Sequence, residues 1–167
     1  QGGNLWILLA GRARMAAMKR AEVARYQERA RGILRGAGIP LGDDAHIEIA
    51  DFGLGEFQRL GLALVVRINE PEYCSKWLVL LPGQKCPLHF HKLKKETFFI
   101  HAGSVRLRVG DRELELGPGQ SLTLPPYMAH EFWSAAEAVI EEVSTHDENS
   151  DSYFPDPRIV RDTAIED

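Results

Sequence analysis

The sequence predicts an all-β protein with a minor helical arm, on three observations. From about residue 60 onward, short apolar and β-branched runs alternate with Gly/Pro turns, the rhythm of a closed or sandwiched sheet. Val105, Leu107 and Val109 alternate with Arg106 and Arg108, so one face of that run is core and the other is wet. Ahead of the strands lies one stretch of near-helical spacing, stopped by Gly36 and Gly38, with Pro40 confirming the break. The expected organisation is an N-terminal extension and helix over 1–40, a β-barrel over 41–146 and an acidic C-terminal segment over 147–167.

The opening run, QGGNLWILLAGRARM, has a short apolar stretch but no basic residues before it, so it does not read as a secretory signal. Met15 or Met18 is expected as the natural start, with a short N-terminal strand as the alternative. From Met15 to Arg35 the chain is rich in Ala, Arg, Glu, Lys and Gln, all good helix formers. Met15, Met18, Val23, Tyr26, Ala30 and Ile33 recur at the spacing of one buried face. The arginines between them are interspersed with Glu22 and Glu28, which reads as a solvated face.

Strands are expected over Leu60–Asn69 and Lys76–Gln84, the second ended by Pro82-Gly83, with Glu70–Lys76 as a connection. ETFFIHAG is a further strand, and SVRLRVGDRELEL a hairpin turned at Gly110-Asp111. Leu122 and Leu124 face inward from the next strand, and HEFW and AVIEEVST follow as strands. In the last, alternation lets only one of Glu141 and Glu142 point into the barrel, and periodicity does not choose between them. The tail, HDENSDSYFPDPRIVRDTAIED, has little periodicity; it is either a solvated terminus or, through Asp147, Glu148, Asp151 and Tyr153, a polar rim over the barrel mouth.

The 167 residues carry 44% apolar and 26% charged side chains and a formal net charge of -4. That composition fits one globular domain and argues against general nucleic-acid affinity, which needs a basic patch. Two cysteines, Cys74 and Cys86, do not make a disulfide framework, and no run approaches a membrane span. A reduced, cytoplasmic protein with neither nucleic-acid nor membrane partners is expected.

The chemistry concentrates in Gly83–Gly103. His89 and His91 share one face of an extended strand, Phe90 points to the opposite one, and Glu96 follows five residues later. Two imidazoles and a carboxylate are a nascent site for Mn, Fe, Co, Ni or Zn. His130, opening a later strand, is the expected fourth ligand. Lys94 lies two residues before Glu96, so it shares that ligand's face; a lysine beside a bound cation is expected to titrate lower and to move protons. A buried carboxylate from the Glu141/Glu142 pair is the second acid/base candidate.

These residues carry a resemblance. Gly83, His89, His91, Glu96 and Gly103 meet every spacing of the first cupin motif. Gly119, Pro125, Tyr127, His130 and Ser134 follow the second, with Tyr127 in place of a glycine and Ser134 in place of an asparagine. The wider pattern, from KRAEVARYQERARGIL through EYCSKWLVLLPGQ to EEVSTHDENSDSYF, resembles the D-lyxose isomerases. The resemblance implies a cupin jelly-roll barrel and a divalent-metal enzyme, typically with Mn2+, interconverting D-lyxose with D-xylulose and in many members D-mannose with D-fructose. It implies metal ligands at His89, His91, Glu96 and His130, catalysis by Lys94 and Glu142, substrate contacts from these two and Asp151, and a homodimer. Either Glu142 or Lys94 is then the base that moves a proton between carbons 2 and 1 through a cis-enediolate. A phosphosugar enzyme would instead need a cationic clamp at the barrel mouth, and Arg106, Arg108 and Arg112 sit on a face read as outward.

Overall fold

The computed structural model describes residues 16–167; Met15 and the residues before it lie outside the described part, and with them the expectation about the start of the chain. One short strand, β1 (Ala17–Lys19), leads into the α-helix α1 (Arg20–Gly36). The helix begins later than its composition predicts. Met18, at the centre of β1, is buried at 3% exposure, and the strand pairs in parallel with β12 (Ala164–Glu166) at the other end of the chain. Distant pairing overrides local helix propensity at this point. At its far end the helix closes where expected: Ile39 N–H donates to Leu34 O at 2.9 Å across Gly38, whose φ of 79° is the left-handed geometry that ends helices.

Two sheets face each other. One runs β2 (Glu48–Ala50), β3 (Leu62–Asn69), β4 (Cys74–Leu80), β11 (Ala138–Ser144), β6 (Glu96–Ala102), β9 (Ser121–Leu124); the other runs β5 (Lys85–His89), β10 (His130–Trp133), β7 (Val105–Val109), β8 (Arg112–Leu116). Strands sit where the alternation puts them, although β4 starts at Cys74, inside the stretch read as a connection.

Alternation along the strands makes two separate cores. Leu62, Leu64, Leu78, Leu80, Ile100 and Ile140 face between the sheets and pack with Leu107 and Phe132 of the opposite sheet. Ala63, Val65, Val79, Leu81 and Val139 face the other way and receive Val23, Ala30 and Leu34 of the helix. The helix thus caps the outside of the barrel; complete burial of a side chain such as Leu34 stabilises by roughly 1.5–3 kcal/mol. No helix among the described residues is long and apolar enough to cross a membrane. Both cysteines are buried free thiols.

The C-terminal segment folds over the barrel. Tyr153 bridges back to Phe90, exchanging 3.0 Å hydrogen bonds in both directions, and its ring stacks on that of Phe90 at 5.3 Å. Further on, Val160 N–H donates to Phe52 O and Asp51 N–H to Thr163 Oγ1. The apolar packing that alternation demands for Phe90, away from the histidines, is supplied by this tail.

Candidate active site

Register places the site. Across β4 and β11, Ala138 pairs with Leu80, Ile140 with Leu78, and Glu142 with Lys76. Ala138 and Ile140 belong to the inner core, so Glu142 points inward with them and is 4% exposed. Glu141 points out and meets Arg67 at 2.7 Å on the surface. The ambiguity left by periodicity is thereby resolved in favour of Glu142.

At the mouth-side ends of the strands, His89, His91, Glu96 and His130 are all buried, and one ligand atom from each lies within 4.8 Å of the others. His130 pairs with His89 in the β10–β5 ladder, which brings the sequence-distant ligand in. All three rings are oriented alike by main-chain carbonyls. His89 Nδ1 bonds Pro87 O at 2.8 Å, His91 Nδ1 bonds Asp151 O and His130 Nδ1 bonds Met128 O, both at 2.9 Å. A carbonyl only accepts, so each Nδ1 carries the hydrogen, and in the neutral ring the Nε2 lone pair is left free. Glu96 Oε1 lies 3.0 Å from His130 Nε2 and 3.6 Å from His91 Nε2. His130 Nε2 and Glu96 Oε1 are buried polar atoms without a hydrogen-bond partner. Their approach is ion-pair close, but the tautomer set by Met128 points two acceptors at one another, an arrangement that a cation between them relieves. Burial, then the neighbouring rings of His130 and His91, holds His89 well below the usual imidazole range. Burial and then Lys94 lower His91 to about 4. Both rings are therefore neutral at pH 7 and available as donors. The four residues fit a divalent cation.

Beside them is a buried ionic chain. Lys94 Nζ contacts Glu96 Oε2 at 3.0 Å, Glu142 Oε1 at 3.0 Å and Asp147 Oδ1 at 2.9 Å. Asp147 Oδ2 is held in turn by Lys76 Nζ at 2.6 Å. Burial pulls the Lys94 ammonium down, but Glu142, Glu96 and Asp147 outweigh it and raise its pKa well above the ordinary value. In the metal-free site these carboxylates keep Lys94 an ammonium that donates to Glu142 and Asp147; the lowered value expected of it belongs to the site with a cation bound. For Glu96, burial pushes upward, yet the Lys94 ammonium holds it well below the carboxylate range. Asp147 is lowered in the same way, burial being outweighed by Lys94 and Lys76.

Asp151 is not where a substrate contact was expected. It is buried, and its carboxylate accepts from the backbone N–H groups of Lys92, Leu93 and Lys94 at 2.9–3.2 Å. It is also absent from the cavity wall. Asp151 instead ties the loop carrying Lys94 to the tail, while its own carbonyl orients His91. Of the tail's two readings, the folded one holds, with Asp147 rather than Asp151 at the site.

The cavity in front of the cluster has a volume of about 50 Å³ and opens to solvent. Its floor is apolar (Leu62, Leu64, Leu78, Phe98, Phe132), and its polar wall is His89, His91, Lys94, Glu96, Glu142, Lys76 and Asp147. Phe154 of the tail closes one side, 5.8 Å from the His89 ring. Two charged members escaped notice in the sequence. Lys76 had a signal, since it shares inward parity with Leu78 and Leu80; Arg161, from the tail, had none. Arg106 is about half exposed on the outer surface, Arg108 caps Glu131 there, and Arg112 is exposed, so none of the three reaches the mouth.

Tyr127 occupies the motif's glycine position with φ of 67°. The left-handed turn is therefore kept despite the substitution, and Tyr127 N–H donates to His91 O at 2.6 Å, bracing the ligand loop. Gly103, the motif's last glycine, also has positive φ, and a Cβ there would collide with Glu137 O.

Fold and site together define a cupin barrel whose interior presents a donor set of three imidazoles and one carboxylate. Residues 76–144 match the cupin domain. The chain is similar to a D-lyxose/D-mannose isomerase of Thermosediminibacter oceani, 36% identical over 180 residues that cover 90% of this chain and 99% of the relative. It is also similar to a D-lyxose ketol-isomerase of Cohnella laeviribosi, 33% identical, covering 89% and 98%. The chain belongs to the D-lyxose ketol-isomerase family of sugar isomerases. Among solved structures, an L-ribose isomerase from an Acinetobacter species in complex with L-ribose superposes with a TM-score of 0.76 over 92% of this chain and all of that one; at 16% identity the likeness is one of fold.

Proposed function

We propose that the protein interconverts D-lyxose and D-xylulose, and D-mannose and D-fructose, with a divalent ion, Mn2+ by preference, held by His89, His91, Glu96 and His130. The observation that carries this is the pairing of a buried donor set with a carboxylate, Glu142, tethered to it through Lys94. When bound, the ion supplies Lewis-acid polarisation of the sugar's carbonyl end.

The side chains divide the remaining work. Glu142 lines the cavity, and among the described residues only its Oε1 is engaged. It is the base that takes the proton from carbon 2 and returns it at carbon 1, through a cis-enediolate. Lys94 donates to Glu142 and Asp147 and is ion-paired with Glu96, so it holds Glu142 beside Glu96 and offers positive charge where the oxygens become anionic. Lys76 and Asp147 keep Lys94 in place. The apolar floor and Phe154 keep bulk water from the exposed carbanion. The protein is further proposed to act in the cytoplasm as a homodimer.

The test is an isomerase assay on chelator-stripped protein, with Mn2+ added back, ketose followed from D-lyxose and D-mannose, and oxygen uptake recorded alongside. Ketose that forms only with metal is the expected result. No ketose from any aldopentose or aldohexose by metal-loaded protein would overturn the proposal, and oxygen consumption would point to a dioxygenase instead.

A further inference from the structure

The ion cluster accounts for one end of an open-chain sugar; the other end is unassigned. Outside the ionic cluster around the donor set, one charged side chain lines the cavity among the described residues: Arg161, from the C-terminal segment. Its side chain is 14% exposed, and its guanidinium is paired with Glu48 on the edge strand β2. Ala50 of β2 faces the inner core and Ile49 the helix, so Glu48, two residues from Ala50, is on the inner face.

Register measures the span. Glu48 pairs with Leu64, Leu64 with Leu78 and Leu78 with Ile140, which puts Glu48 on the rung below Glu142. Between β2 and β11 there are three strand steps, about 14 Å along the sheet at ~4.8 Å each. Arg161 enters this interval from the edge, so the gap between it and Glu142 is on the scale of a sugar chain. The floor of the interval is Leu62, Leu64 and Leu78, which offer the hydroxyls nothing.

We propose that Arg161, braced by Glu48, is a specificity-determining residue that binds the hydroxyls at the end of the sugar remote from the carbonyl. An arginine has five N–H donors, of which Glu48 occupies one side of the fork; the rest can donate to hydroxyl oxygens. The pair is neutral overall, so it favours a neutral polyol end over a phosphorylated one. Five- and six-carbon sugars differ at this end, and Arg161 therefore sets the ratio between them. The assignment rests on the isomerase reading for its substrate class, and its test separates the two.

Arg161→Met, Arg161→Lys and Glu48→Gln are compared with the wild type for KM and kcat on D-lyxose and D-mannose. Manganese content, melting temperature and calorimetric affinity for D-arabitol and D-mannitol, the corresponding polyols, are measured on the same samples. Arg161→Met is expected to raise KM about tenfold, with kcat little changed and the D-mannose to D-lyxose preference shifted. Arg161→Lys should recover part of the loss, and Glu48→Gln should show a smaller rise in KM. Metal content should not move. Unchanged KM and preference in Arg161→Met overturns the proposal, as does a loss of metal or of folding that Arg161→Lys and Glu48→Gln share. If the wild type forms no ketose, the isomerase reading fails and the polyols decide: affinity that falls in Arg161→Met keeps Arg161 as a polyol contact, and equal or absent affinity removes it.

Discussion

The two ends of the barrel interior are made from the same strands and obey opposite chemistry. At the closed end, Leu80, Ala138 and Ile100 pack against Val105. Two residues further along each strand come Leu78, Ile140 and Phe98, and two further still Lys76, Glu142 and Glu96. The change from apolar to ionic takes one rung on β4 and β11 and comes one rung later on β6, where Phe98 still lies opposite Glu142. The closed end is bound by burial alone, whereas the open end holds five charged side chains that are tolerable only because each touches its opposite. One end therefore maintains the fold and the other spends stability on function, and substitutions at the two ends should separate these properties.

The sharpest separation is expected at the donor set. Glu96→Ala and His91→Ala should lose metal and turnover together, read as metal content beside ketose formation; either variant turning over without metal would break the division. Next come Glu142→Gln and Lys94→Met, which should retain metal while kcat falls by roughly 10²- to 10⁴-fold. Glu142→Gln should also leave the melting temperature close to wild type, since the cluster of Lys76, Lys94, Glu96, Glu142 and Asp147 loses one negative charge from an excess of one. Full turnover in both would remove them from the chemistry. At the closed end the pattern inverts: Ile140→Ala should cost about 2–5 kcal/mol in denaturant unfolding, with kcat and KM unchanged.

A smaller effect tests the open end by pH. In the metal-free protein His91 is lowered from 6.5 to about 4, and His89 is lowered too. The unfolded chain then binds more protons than the folded one between these values, so stability is full above about 6.5 and declines as pH falls toward 4. Melting temperatures of stripped protein across that window should show the slope, and His91→Gln should flatten it.

What could be read in advance follows the same division. The closed end announces itself through alternation, because a half-buried strand must place apolar groups at every second position. The metal cluster was legible because His89, His91 and Glu96 are close in sequence. Glu142 was separable from Glu141 only through the resemblance, since periodicity is silent between them, and the pairing with Lys76 shows which parity faces inward. β1, the placement of the tail and Arg161 left no local signal, because their partners lie far away in the chain, and contacts at that distance impose no periodicity. The hold of Asp151 on the loop carrying Lys94 left no signal for a related reason: a carboxylate that caps backbone N–H groups is indistinguishable in sequence from one aimed at a ligand.

The acceptors that orient the three imidazoles are main-chain carbonyls, those of Pro87, Met128 and Asp151. Point mutation leaves a carbonyl in place whatever the side chain becomes. The aim of the donor atoms is thus insulated from most single-codon changes at those positions, and exposed chiefly to insertions and deletions that slide a segment along its neighbour. Across the family's history, drift at Pro87 and Met128 should be free in residue type and restricted in length, whereas Asp151 is also held by the carboxylate that ties down the loop carrying Lys94.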